Sequence, residues 1–282
     1  MSILTETGEG KAFLANTYGG VLDNIFSQNI STLFRNDNLS GNPSAGTVIV
    51  RRLPFSTAGK IGDARKAGKG QAIQAEDVVI ALSNSWEYIN EVNEADTLTF
   101  GVPGLVERKA NDNVQNAAKD VEAEFWAEAV RSGAQISATA DTMAKNIDAA
   151  IVAIENTKTK YVRGVRRENI GIVLSPAAYA NLQGDIDLIR NHNNNNTYEY
   201  FHKVPVFCST DLPDGVEVVV IGKGAIAQPV LPLTPPAGRV PFSNDFFFGT
   251  TGIYGTKAVL PELIKYIGLP TDAASVEDEE DI

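Results

Sequence analysis

The residues best placed to do chemistry are six consecutive ones, Gly222-Lys223-Gly224-Ala225-Ile226-Ala227. They follow the strand-like run VEVVVI and match the glycine-rich dinucleotide fingerprint in its GxGxxA form. That chemistry requires a helix to open within the motif, so that its first N–H groups meet a pyrophosphate. Pro229, Pro232, Pro235 and Pro236 follow instead, and proline is not tolerated in a helix interior. A nucleotide-binding enzyme using this turn is kept only as an alternative. Three further chemistries fail on spacing. Lys60 and Lys69 lie among glycines, but neither is followed by Ser or Thr as a phosphate-binding loop demands. His192 and His202, with Cys208 beyond them, match no zinc spacing. No GxSxG elbow is present to hold a serine nucleophile. No catalytic residue, metal or cofactor is therefore assigned.

Charge is the stronger signal. Between positions 51 and 70 stand Arg51, Arg52, Lys60, Arg65, Lys66 and Lys69 against a single acid, Asp63. The chain as a whole has 24 Lys and Arg, 35 Asp and Glu, and a formal charge of −11. Six of those acids, Asp272, Glu277, Asp278, Glu279, Glu280 and Asp281, lie in a terminal run without Lys or Arg; setting them aside brings −11 to −5. Such a run is expected to stay solvated, and an acidic body argues against general affinity for nucleic acid. A basic stretch in an acidic chain suits docking on an acidic surface of another copy, so the six basic residues are the candidate subunit-interface residues. Asp120, Glu124 and Glu128, at helical spacing, are one candidate acceptor, although a charged helix stripe is most often a solvated face.

The elements that must carry these residues can be read from periodicity. TVIVRRL (47–53) and VVIAL (78–82) are β-branched and strand-like, and the long Gly-, Ala- and Lys-rich connection between them reads as the tip of a projecting hairpin. SWEYINEVNEADTLTF adds a further strand with Trp86, Tyr88 and Val92 inward. Residues 103–132 then give the clearest pattern in the chain: Val106, Ala110, Val114, Ala117, Val121, Phe125 and Ala129 recur at three and four, one stripe of a helix. At ~1.5 Å per residue that helix spans about 40 Å. Pro103 suits its first turn and Gly133 a left-handed stop. A second helix is expected over 142–156 through Met143, Ile147, Ala150, Ile151 and Ile154, with Asp141 as N-cap.

Beyond residue 169 short strands alternate with a brief helix that opens at Pro176. NHNNNNTYEY reads as a polar loop, and the proline-rich QPVLPLTPPAGRVP reads as an extended one. FFFGTTGIYGTKAVL and ELIKYIGL are closing strands. Residues 1–46 read as an arm with a short amphipathic helix between Val21 and Phe34. The 43% hydrophobic content supports a sizeable core. One cysteine excludes an intrachain disulfide framework, the first residues lack the pattern of a secretory signal, and no apolar run is long enough to span a bilayer. The whole is α+β, with a mixed middle inserted between strands.

This order of parts resembles the major capsid proteins of tailed bacteriophages, the Hong Kong 97-type shell fold. The likeness is carried by the basic hairpin between TVIVRRL and VVIAL, the helix ending AAKDVEAEFWAEAV, the inserted domain containing VPVFCSTDLP and the close KAVLPELIKYI. It implies an N-terminal arm at 1–46, an extended β-hairpin loop at 47–83 that overlaps a neighbour, and a peripheral domain with a long spine helix at 84–140. An axial domain at 141–243, peripheral closing strands at 244–268 and an acidic tail at 269–282 complete the division. It further implies hexamers and pentamers of the chain itself and a virion location after assembly in the bacterial host cytoplasm. The enclosed DNA would be bound without sequence specificity, with scaffolding, portal and decoration proteins as partners and no membrane. No long helical prodomain precedes the arm, which would imply a separate scaffolding protein or prior processing. An encapsulin-like compartment shell is the alternative within the same fold.

Overall fold

The apolar stripe of residues 103–132 folds as one helix, α1 (Val102–Ser132). The computed structural model describes residues 29–56, 74–92, 102–137, 142–182, 187–190, 197–233, 237–240 and 245–268. Ala110, Val114, Ala117, Val121, Phe125 and Ala129 are all fully buried, as their spacing requires. Two sheets, met in succession along the helix, bury that stripe.

The first half of α1 packs on the smaller sheet. Strands β4 (Asn84–Val92) and β14 (Phe246–Tyr254) pair antiparallel over their full length, from Val92 opposite Phe246 to Asn84 opposite Tyr254. Trp86 and Val92 are buried against the helix, and Tyr88 packs at the margin of the same cluster. The proline-rich stretch, expected as a loop, instead adds β12 (Val230–Pro232) and β13 (Ala237–Arg239) to the other edge of β14. Proline is tolerated there because an edge strand need not donate on its outer side.

The second half of α1 packs on the larger sheet. In spatial order it comprises β5 (Ala134–Gln135), β16 (Ile264–Gly268), β10 (Val216–Gly222), β6 (Ile170–Leu174), β9 (Val204–Cys208), β8 (Thr197–Phe201) and β7 (Asp187–Arg190). β5 with β16 and β6 with β9 are parallel; the other pairs are antiparallel. Helices α2 (Met143–Glu155) and α3 (Pro176–Leu182) cover it, α2 through buried Ile147, Ala150, Ile151 and Ile154. The N-cap of α2 is Thr142, whose side chain makes no capping bond; Asp141 lies outside the described residues. TYEY, expected in a loop, forms most of β8.

β16, read from the sequence as a closing strand, belongs to the larger sheet. Ile264 and Ile267 are buried in the larger core, which places the strand between β5 and β10. Gly133 differs from its expectation: it is not left-handed. A Cβ there would sit 2.5 Å from the Ala129 carbonyl oxygen and 2.9 Å from the Ile264 side chain, so the glycine is needed for close approach of α1 to β16.

The hairpin forms as expected at its root. β2 (Thr47–Arg52) and β3 (Glu76–Ala81) are antiparallel, from Thr47 opposite Ala81 to Arg52 opposite Glu76, with β1 (Leu39–Ser40) on the outer edge of β2. Val50 and Ile80 dock on Ala227 and Val259, next to the ribbon of β11 (Ile226–Ala227) and β15 (Lys257–Ala258). Of the expected arm helix, residues 21–28 lie outside the described residues, and Ile30–Leu33 form a single 3₁₀ turn. Beyond that turn the chain packs on its own core: Phe34 is buried edge-on against Trp126 and Phe207.

Candidate assembly interface

The root of the basic hairpin spends its cations within the chain. Arg51 stands directly opposite Asp77 and makes a two-pronged contact at 2.9 and 3.3 Å. That hydrogen bond holds Arg51 above its ordinary pKa and Asp77 below its own. Arg52 is only 15% exposed at its side chain, lies 3.5 Å from Glu262, and stacks 4.0 Å from the centre of the Tyr161 ring. Glu76 takes a hydrogen bond from the Tyr161 hydroxyl and sits 3.3 Å from Lys160, which together lower its pKa. The Phe55 N–H donates to the Lys160 carbonyl at 3.0 Å, and Arg163 donates to the Ser56 carbonyl at 2.6 Å while lying over the Phe55 ring. The turn at 157–163 thus grips both strands. Lys60, Arg65, Lys66 and Lys69 lie outside the described residues.

The acidic stripe of α1 divides by burial. Glu128 is buried and accepts from Ser132 Oγ at 2.7 Å, from Arg131 at 2.9 Å and from the Ala258 N–H at 2.9 Å, which fastens the helix to β15. It is not part of a solvated face. Asp120 accepts from the Tyr88 hydroxyl, whose pKa is pushed up to about 12 by partial burial and then by that carboxylate. Glu124 keeps half-exposed contact with Arg131 at 3.7 Å. Asp120 and Glu124 face Asp211 and Asp214, from the loop after β9, across an open groove of about 650 Å³. Four carboxylates thus share one concave surface that no spacing in the sequence could have joined.

Sequence reasoning missed a buried carboxylate one turn away. Glu122 is 4% exposed and accepts from the Ser31 N–H (3.0 and 3.2 Å), Ser31 Oγ (2.6 Å) and Trp126 Nε1 (2.8 Å). Burial raises its pKa despite these donors, and burial lowers that of the neighbouring Arg35. The only signal was positional: Glu122 lies between Val121 and Trp126 at the edge of the buried face.

The GxGxxA segment is a tight turn between strands rather than a helix start. Gly224, at φ 77°, donates its N–H to the Phe34 carbonyl. The N–H groups of Lys223 and Ala225 go to the carbonyls of Asn169 and Gly222. No cradle of free N–H groups is left for a pyrophosphate. Among the described residues no group of three or more His, Cys, Asp or Glu is placed to hold a metal. His202 pairs with Asp148 at 2.8 Å. The Cys208 thiol is pushed up by partial burial and by Glu199, the opposite of an activated nucleophile. No described helix is long and apolar enough to cross a membrane.

The sequence matches no protein-family model and no curated protein. The fold has many counterparts among solved structures. A structure from Mycobacterium phage Che8 superimposes with a TM-score of 0.59 at 16% identity, covering 84% of this chain and 89% of that one. The capsid of the cyanophage P-SCSP1u gives 0.59 at 13% identity, over 84% of this chain and 86% of the other. A virus-like particle from Pyrococcus furiosus gives 0.56 at 11% identity, over 91% and 98%. The chain therefore has the α+β fold of Hong Kong 97-type shells.

Proposed function

We propose that this chain is a structural protein that self-assembles into an icosahedral capsid shell enclosing the double-stranded DNA of a tailed bacteriophage. The observation that carries the reading is the fold, shared over most of both chains with a capsid structure. Hexamers and pentamers of the chain close the shell, scaffolding, portal and decoration proteins act as partners, and the virion is its final location. The division into arm (1–46), hairpin loop (47–83), peripheral domain (84–140 with 244–268), axial domain (141–243) and acidic tail (269–282) belongs to the same proposal. In it, Arg51 and Arg52 set the hairpin root rigidly, while Lys60, Arg65, Lys66 and Lys69 dock on an acidic surface of an adjacent copy. The groove of Asp120, Glu124, Asp211 and Asp214 is the acceptor of matching charge. Each exposed ion pair contributes only ~0–1 kcal/mol, but a shell repeats the contact in every copy.

Electron microscopy and light scattering of the purified protein test this. Icosahedral particles of megadalton mass are expected; a small oligomer under all assembly conditions overturns the reading. Applied to R65E/K66E, the same assay should show normally folded subunits, by circular dichroism, that fail to form particles. Particles at normal yield across a range of salt would remove the docking role alone. The likeness to the Pyrococcus furiosus particle, over 98% of that chain, favours one second reading, a cellular compartment shell. Protein cargo in place of packaged DNA would select it.

A further inference from the structure

The loop that leaves α2 carries a second basic surface, distinct from the hairpin tip. Residues 157–168, TKTKYVRGVRRE, hold five basic residues and one acid, Glu168. Two of the five are neutralised by the body. Arg167 grips Glu155 at 2.6 and 3.3 Å, and Lys160 meets Glu76. The other three, Lys158, Arg163 and Arg166, are exposed and meet no carboxylate among the described residues. Lys158 and Arg163 moreover stand opposite each other in an antiparallel bridge. Like charges directly opposite repel, so the arrangement favours an anion lying across the pair. Phe55, 47% exposed beneath the Arg163 guanidinium, gives the surface an apolar margin.

We propose that this surface holds the acidic segment 269–282 of the same chain. Charge complementarity is the first argument: the segment carries six acids, no Lys or Arg, and three larger apolar side chains, Leu269, Val276 and Ile282, of which the last two flank the acidic run and suit the apolar margin. Reach is the second. Thr159 in the loop donates to Glu262 at 3.2 Å, and Glu262 lies two residues before the start of β16, whose last residue is Gly268. The path from Glu262 along β16 to Gly268 covers about 20 Å at ~3.3 Å per residue, whereas the fourteen residues after it can span about 45 Å. The five acids at 277–281 can therefore return to the loop without strain. The sequence alone would leave this segment solvated, because it shows no acceptor; the unpaired cations of the folded loop supply one. The inference does not depend on the shell reading, since it concerns one chain.

The test uses the full chain and its K158Q/R166Q variant, two exposed positions whose side chains make no hydrogen bond or ion pair among the described residues. A glutamate-specific protease should release peptides by cutting after Glu277, Glu279 and Glu280 several-fold more slowly in the wild type than in the variant at low salt. The free peptide of residues 269–282 calibrates the protease, and the difference should vanish in high salt. Independently of folding in the variant, zero-length carbodiimide coupling of the wild type should join Lys158 to a carboxylate at 277–281. Equal cleavage rates, or no such crosslink, overturn the proposal. A crosslink found only between isotopically distinct chains overturns the assignment to the same chain. Duplex DNA is the competing occupant. If it binds the wild type as tightly as E277Q/D278N/E279Q/E280Q/D281N, the segment does not cover the surface and the proposal fails.

Discussion

The two halves of α1 serve different ends. Toward Val102 the helix presents Ala110, Val114 and Ala117 to a thin sheet, β4 with β14, whose outer face carries exposed Ile89. Toward Ser132 it presents Phe125, Trp126, Ala129 and Val130 to the larger sheet, where residues 29–36 close the core from the other side with Phe34 and Ser31. Small and β-branched residues let a sheet lie close along a helix but bury little area each. Aromatic residues bury 150–250 Å² apiece and lock neighbours edge-to-face; here the Phe125 and Trp126 rings are 5.0 Å apart at 83°. One helix therefore joins a deep core that sets stability to a thin platform that extends the molecule.

The largest expected effect tests that asymmetry directly. Phe125→Ala should cost about 3–5 kcal/mol in denaturant unfolding of the dissociated subunit, whereas Val114→Ala should cost only about 1–2 kcal/mol. Equal losses would mean that the two cores share the load and would break the comparison.

The closure by residues 29–36 gives an intermediate effect. Glu122→Gln keeps size and one acceptor oxygen, but turns an amide NH₂ toward donors already aimed there by Ser31 and Trp126, a loss of about 1–3 kcal/mol at neutral pH. Its sign with pH is specific. A carboxyl whose folded pKa lies above its unfolded value contributes stability that is fully present below the unfolded pKa and fades as pH rises through the folded one. On acidification from neutral, wild type should therefore gain stability relative to Glu122→Gln, and a difference that stays flat with pH would place the charge elsewhere.

What the sequence made legible was whatever lies within one element or between neighbours. The α1 stripe, the α2 stripe and the pairing of β2 with β3 follow from local period and short connection, and each stands in the fold. The left-handed stop expected at Gly133 failed, and the sheet that β16 joins was not legible, because both depend on Ile264 reaching the end of α1 across 131 positions of chain. Ser31 with Glu122, 91 positions apart, is the same case: within AAKDVEAEFW, between Asp120 and Glu124, Glu122 looks like any solvated charge. Of the candidate interface, charge asymmetry pointed to the hairpin. Only folded geometry shows Arg51 and Arg52 engaged with Asp77 and Glu262, and the acidic groove assembled from two distant segments.

The smallest expected effect lies on the outer face of the thin sheet. Ile89 is 48% exposed and stands opposite Gly249, which offers no side chain to pack on. A Cβ at Gly249 would come within 2.1 Å of the Tyr88 carbonyl oxygen, so the strands approach closely there and the backbone pairing, rather than Ile89, holds the register. Ile89→Thr keeps β-branching and hence strand preference. It should therefore shift subunit stability by no more than about 0.5 kcal/mol. Thermal unfolding of the dissociated subunit reads this directly. A loss as large as that of Val114→Ala would show that both faces of β4 are packed within one chain, and the contrast between deep core and thin platform would no longer hold.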